Sequence, residues 1–234
     1  DASTDGTQEL FETGNFPQVK YFHYNENKGA CYARNYGVQR AKGEIIAFQD
    51  SDDIWHSDKL EKQIELLFKT NSDMCFCGIN RVSHEKSAYY FPVHDFDPNS
   101  GLEQILAENR AGTQTMVMRR CVWENLKFDE SFRRYQDWDF AIRAAEKYKL
   151  CYLPLALVDS RVGNDSISFA VKSYPALKKL YDKHIKLYEK YPGSNAVMNR
   201  RMGKRLSKSE PELSAQYFLK AFKLSKNPYD LGYY

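Results

Sequence analysis

No apolar run in the 234 residues approaches the ~18 needed for a membrane-spanning helix, and the mean hydropathy is −0.66, which excludes transmembrane helices. Cysteine is sparse and odd in number: Cys31, Cys75, Cys77, Cys121 and Cys151, with no C-x-x-C pair. A disulfide framework and a zinc ribbon are excluded on that basis, and the thiols read as reduced and cytosolic. His23, His56, His84, His94 and His184 share no metal-ligand spacing. The opening Asp1–Thr7 is polar and acidic and does not read as a signal peptide. Internal repeats, low-complexity tracts and nucleic-acid-binding motifs are also absent. What is present is ordinary globular material, 42% hydrophobic and 28% charged, enough for one α/β domain with a small appendage. Aromatics are high at 15%, with 17 Tyr; packing is their commoner use, and stacking on a sugar or base is the other.

The formal charge of +3 conceals an asymmetry. Residues 171–234 carry 14 Lys and Arg against 5 Asp and Glu, leaving 20 against 26 in residues 1–170. The boundary near 170 separates an acidic body from a basic tail. The tail is suited to an anionic surface such as phospholipid or a lipid-diphosphate acceptor, or its lysines simply solvate helices.

Along the body, Val19–Tyr24 reads as a strand and Gly29–Ala41 as a helix ending at Gly43. Ile45–Gln49 reads as a buried parallel strand. Asp58 is the expected cap of a helix through Lys69, with Leu60, Ile64 and Leu67 on its apolar face. Asp73–Gly78 is the next strand, residues 79–100 look irregular, and Leu102–Asn109 is a short helix. A strand over Thr115–Arg119, a helix over Asp137–Lys147 and a strand over Leu150–Val158, broken at Pro154, complete the body. Strands alternating with helices predict a mostly parallel sheet covered on both faces. Three helices follow: Tyr174–Lys190 stopped by Pro192-Gly193, Ala196–Leu206 and Glu212–Leu224. Tyr174, Leu177, Tyr181, Ile185 and Tyr188 form a docking stripe, and Lys178, Lys179, Lys183, Lys186 and Lys190 a basic one.

Asp50-Ser51-Asp52-Asp53 directly follows the apolar strand Ile45–Gln49. Carboxylates crowded at the carboxyl end of a strand repel unless a cation sits among them, and Mg²⁺ or Mn²⁺ suits an all-oxygen set. An acidic loop entering the next helix is the structural alternative.

The run Asn27 to Asp53 supplies N-x-G-x-x-x-A-R-N-x-G (Asn27, Gly29, Ala33, Arg34, Asn35, Gly37), then A-x-G (Ala41, Gly43), a strand and D-x-D-D. It resembles the donor-binding half of family 2 glycosyltransferases at every one of those positions. Asp1-Ala2-Ser3-Thr4-Asp5-Gly6-Thr7 resembles the family's D-D-G-S-x-D-G-T turn, with Ala2 where Gly is usual. Gln136-Asp137-Trp138-Asp139 resembles its E-D-W-D, with Gln136 for Glu, and Arg161 with Ser166-Ile167-Ser168 resembles its closing stretch. The resemblance spans Asp1 to about Ser168. Two departures stand out: the family's first strand, helix and second strand, roughly forty residues, do not precede this turn, and Gly163-Asn164 stand where a metal-assisting His is common.

The resemblance implies a GT-A fold, a Rossmann-like mostly parallel sheet with helices on both faces, over residues 1–170, followed by a basic helical region over 171–234. It implies a bacterial, hexosyltransferase-like inverting enzyme that is metal-dependent through Mn²⁺ or Mg²⁺. Its donor would be a nucleotide-diphosphate sugar and its acceptor a saccharide or lipid-linked saccharide of cell-surface polysaccharide assembly. It implies a cytoplasmic location, with peripheral contact at the inner face of an anionic membrane, no nucleic acid, and a homodimer as one way of covering an exposed sheet edge. Metal ligation falls to Asp52 first and Asp50 second, with a ribose contact instead of the metal as the alternative for Asp50; Asp53 reads as structural. Asp137 is the implied general base, with an N-cap role as the alternative and Asp139 as the fallback. Donor contacts fall to Asp1, Ser3, Arg34, Asp50 and Arg161; a surface salt bridge is the alternative for Arg34 and a solvated loop for Arg161. A sugar-phosphate nucleotidyltransferase, which would show a G-x-G-T-R loop, and a truncated non-catalytic nucleotide-binding domain are the competing readings.

Overall fold

The computed structural model describes residues 1–82, 88–91, 96–161 and 173–230. A six-stranded sheet has the order β1 (Ile45–Ala47), β5 (Met116–Arg119), β3 (Met74–Val82), β6 (Leu150–Arg161), β2 (Asp53–Trp55), with β4 (Ala88–Phe91) also on β3. The architecture is α/β as expected, but its strand sense is not mostly parallel. Only β3 and β6 pair in parallel, and the other described pairings are antiparallel. Strands β1 and β5 come from opposite ends of the body, so sequential alternation with helices does not fix the direction in which they meet. Val19–Tyr24 forms no ladder; its tie is a bond from the Ala2 N–H to the Tyr24 carbonyl. A strand needs a neighbour, and none of the described strands lies beside it. The break expected at Pro154 is a bulge: Cys77 pairs with Leu153, yet Gly78 pairs with Ala156. Proline cannot donate to a ladder, and the bulge carries it out of register.

The helices are α1 (Thr7–Thr13), α2 (Ala30–Arg40), α3 (Lys59–Lys69), α4 (Gly101–Ala107), α5 (Arg120–Leu126) and α6 (Gln136–Lys147) in the body. The tail adds α7 (Ser173–Lys183), α8 (Ile185–Lys190), α9 (Pro192–Leu206) and α10 (Pro211–Ser225). Pro192 starts α9 where a stop was expected, because a first-turn N–H needs no helical partner. The docking stripe packs inward as its spacing demands. Leu177, Leu180, Tyr181 and Tyr188 join Phe128, Trp138, Phe140, Met198 and Met202 in one large core cluster on one side of the sheet. The basic stripe is divided. Lys178 pairs with Asp182, Lys179 donates to the Ser131 carbonyl, and Lys183 reaches Asp129 and Asp139 at 2.7 Å each.

Helix α3 covers the other side, turned from its expected face. Lys59, Gln63 and Leu67 are buried and Leu60 is exposed. Asp58 does not cap it; its carboxylate accepts from Lys62 Nζ at 2.5 Å. Gln63 Nε2 donates to the Thr115 carbonyl at 2.9 Å, which holds the helix in this rotation. Among the described residues Lys59 Nζ has no hydrogen-bond partner, and it lies 4.0 Å from the Trp55 ring centroid. Burial pushes its ammonium down to about 8, so the folded state binds its proton less tightly than the unfolded state does. Stability therefore rises between pH 8 and about 10.4, the unfolded value. Lys59→Met is expected to stabilise the protein by up to about 3 kcal/mol at pH 7 and to flatten that alkaline rise. Urea unfolding at pH 7 and pH 10 checks both; a destabilised variant at pH 7 would mean that the ammonium is well accommodated.

Candidate active site

Asp1 and the Asn27–Gly29 turn form one wall of the donor-side motif. The Asp1 carboxylate accepts from the Lys28 N–H at 2.7 Å and the Gly29 N–H at 2.9 Å, so both oxygens clamp that turn. Gly29 has φ 89°, and a Cβ there would sit 2.4 Å from Arg133 Nη1. Glycine thus serves both the backbone and the close approach of Arg133. Ala2, where the resemblance expects glycine, has φ 55° and carries left-handed strain. Ser3 is exposed. A small hollow of about 280 Å³ opens between Asp1, Phe11, Phe22, Tyr24 and Tyr36.

Helix α2 delivers two adjacent motif residues to different tasks. Asn35 is buried and fully engaged: its Oδ1 accepts from Trp123 Nε1 and the Phe128 N–H, and its Nδ2 donates to the Phe128 carbonyl and Glu130. It holds α2 to the body. Arg34 turns the other way and donates from Nη2 to Asp50 Oδ1 at 2.8 Å, while its buried Nη1 has no hydrogen-bond partner among the described residues.

The acidic turn follows β1 and leads straight into β2. Asp50 is half-buried and paired with Arg34, Asp52 is exposed, and Asp53 is buried. Burial pushes the Asp53 carboxyl up to about 6, Asp50 and Asp52 add to the rise, and a Ser160 hydrogen bond opposes it. Its buried Oδ1 is unpartnered. Among the described residues, no three His, Cys, Asp or Glu side chains converge to hold a metal ion. Arg161 closes β6, but its side chain, with Gly163-Asn164 and Ser166–Ser168, lies outside the described residues.

Asp137 stands in the first turn of α6, behind Tyr135 at φ 63°. Its Oδ1 accepts from the Trp138 N–H at 2.8 Å and its Oδ2 from Asn109 Nδ2 at 2.9 Å. Trp138 is buried, and its indole N–H is fixed on the Ile105 carbonyl. Burial raises the Asp137 carboxyl above the ordinary range, against these two hydrogen bonds and the charge of Arg34. Asp139 points elsewhere. It is fully buried and meets His184 Nε2 at 2.8 Å, Arg143 Nη2 at 2.7 Å and Lys183 Nζ at 2.7 Å. Burial alone would raise it, yet these partners hold it below the usual range. The fallback base is therefore a structural anion on the far side of its helix, two residues and about 200° from Asp137.

Arg34, Asp50 and Asp137 line one cleft of about 740 Å³. Asp1, Ser3 and Asp52 are not among its lining residues. Eight cationic side chains line it against three carboxylates. Sequence reading missed Asn109, Glu108 and the four cations of α9: Arg200, Arg201, Lys204 and Arg205. Asn109 has no sequence signal. The α9 cations did have one, a repeat at i, i+1, i+4 and i+5.

The sequence model of "Glycosyl transferase family 2" matches residues 1–126. The amylovoran biosynthesis glycosyltransferase AmsB of Erwinia amylovora is 32% identical over 135 residues, covering 53% of this chain and 44% of that protein. The structure of S. aureus TarS 1-349 in complex with UDP-GlcNAc aligns at TM-score 0.60 with 18% identity, over 99% of this chain and 64% of TarS 1-349. The mannosyltransferase PcManGT of Pyrobaculum calidifontis, in complex with GDP-Man and Mn²⁺, aligns at 0.62 with 17% identity, over 99% of this chain and 66% of PcManGT. The chain thus spans less than half the length of AmsB and less than two thirds of either structural neighbour.

Proposed function

The chain belongs to glycosyl transferase family 2, and we propose that its cleft moves a sugar, with inversion, from a nucleotide-diphosphate donor to an acceptor hydroxyl in cell-surface polysaccharide assembly. The observation that carries this reading is the meeting of Asp50, Arg34 and Asp137 in one cleft, although Asp50 and Asp137 are 87 residues apart. UDP-GlcNAc in TarS, GDP-Man in PcManGT and the amylovoran role in the name of AmsB support the donor class and the process. We place the reaction in the cytoplasm, in keeping with five free cysteines, four of them buried.

In this reading Asp137 takes the acceptor proton as the hydroxyl oxygen attacks the anomeric carbon. Its raised basicity suits that task, while Asn109 and the Trp138 N–H fix its direction. Arg34 holds Asp50 in place at the cleft before donor arrives. Asp1 holds the Lys28-Gly29 turn in shape for the donor.

The carboxylate oxygens of Asp50 and Asp52 suit a hard divalent ion, and both charges push the neighbouring Asp53 carboxyl up, as acids crowded in one turn do. Two ligands are too few for a complete shell, so the donor's phosphates would supply others. Asp50 and Asp52 would hold Mn²⁺ or Mg²⁺, which when bound neutralises the departing diphosphate. Asp52→Asn is expected to erase the Mn²⁺-dependent rise in melting temperature produced by UDP, while leaving the unliganded melting temperature in place, because Asp52 is exposed. An undiminished Mn²⁺ effect in the variant would remove Asp52 from the metal site.

A further inference from the structure

The basic lining of the cleft exceeds what a donor diphosphate on the Asp50 side would need, and its excess is concentrated on α9. Arg200, Arg201, Lys204 and Arg205 all line the cleft from that helix. They occupy one helical face over six residues, about 7.5 Å along the axis. Two are anchored. Arg200 forms an ion pair with the buried Asp230, and Arg201 meets Glu108 at 3.6 Å. Arg201 also lies 5.7 Å from the ring of Trp138, the residue that follows Asp137. Its Nε is buried without a hydrogen-bond partner. Lys204 and Arg205 are exposed at the cleft wall, and Arg134 joins the lining from the segment before α6.

We propose that Arg201, Lys204 and Arg205 of α9, with Arg134, form an acceptor subsite for a saccharide that carries phosphate. The proposal rests on the glycosyltransferase reading and names the acceptor class for that same cleft. Guanidinium forks pair two N–H donors with two phosphate oxygens. A row of cations about 6 Å long, from Arg201 to Arg205, suits a phosphodiester or diphosphate better than the single charge of a uronate carboxylate. A cleft with one dominant sign also focuses its field and draws such an acceptor in. The site beside Trp138 puts the phosphate next to Asp137 and leaves the Arg34–Asp50 end for the donor.

Calorimetric titration of the full chain, with saturating UDP and without it, tests this. The soluble probes are glucose 1-phosphate and glucose. The lipid probes are a short-chain prenyl diphosphate saccharide and the matching neutral prenyl saccharide in detergent micelles. We expect each phosphate-bearing probe to bind at least about tenfold more tightly than its neutral partner, an advantage that shrinks with added salt. In Lys204→Ser/Arg205→Ser that preference should vanish while UDP affinity is kept. A preference limited to the lipid-linked pair assigns the phosphate to a lipid headgroup; one seen in both pairs assigns it to phosphate alone. Equal affinity for phosphorylated and neutral probes overturns the subsite. So does a preference that survives in the double variant, or a parallel loss of UDP binding. If wild type fails to bind UDP, the donor reading fails separately, and the probe pairs still decide the role of α9.

Discussion

Asp137→Asn is expected to lower transfer by about 10²–10⁴-fold while nucleotide affinity stays intact, because a general base acts on the acceptor alone. The amide keeps the shape of the carboxylate and can still accept from the Trp138 N–H, so the first turn of α6 should persist. What it loses is the ability to take a proton. The raised carboxyl gives a second readout. Asp137 works only when ionised, so in wild type kcat/KM should climb as pH rises through a value above the ordinary carboxylate range and then level. Asn109→Ala should shift that rise, since Asn109 donates to Oδ2 and favours the ionised form. Near-wild-type turnover in Asp137→Asn would refute the base assignment, and with it the inverting mechanism as drawn.

Asp139→Asn carries the largest expected effect on stability, a loss of about 3–5 kcal/mol. Asp139 is completely buried and is the common anion of Arg143, Lys183 and His184. Removing its charge strands cations at the junction of α6 with α7 and α8, where Lys183 keeps its pair with Asp129. The folded-state carboxyl lies below its unfolded value of about 3.9, so this contribution is fully present above that value. It is lost as pH falls from there through the folded value. Urea unfolding at pH 7 should separate wild type from variant, and the gap should narrow at pH 3. A variant as stable as wild type at pH 7 would show that the cations find water instead.

The surroundings of Arg34 and Asp50 were legible because their motifs are local: a helix and a strand end bring the two to one cleft, and the apolar strand before Asp50 showed where the acidic turn would sit, whereas Asp1 clamps the Lys28-Gly29 turn and does not line that cleft. Strand direction was not legible. The sense of β1 against β5 depends on a pairing between Ile45 and Arg119, which no local pattern records. The rotation of α3 was hidden for a related reason: a buried lysine over Trp55 and a glutamine bonded to Thr115 displaced the more apolar Leu60 from the inner face. In the tail, the lysines of α7 drew attention through their number, yet two of them turn back onto the body. The cations that reach the cleft are on α9, where spacing shows that they share a face but not what that face meets.

The tail helices contribute to the same packed interior as α6, the helix that carries Asp137. This constrains how such a chain can diverge. A segment that merely adjoined its neighbour could be exchanged whole between relatives, carrying a new acceptor preference with it. Here an exchange of residues 173–225 would have to match Leu177, Leu180, Tyr188 and Met198 to the aromatic rings beneath them, and any mismatch would tilt α6 and the carboxylate at its start. Changes of preference are therefore expected to accumulate as single replacements on the cleft face of α9, while the residues one helical face away stay matched to the interior.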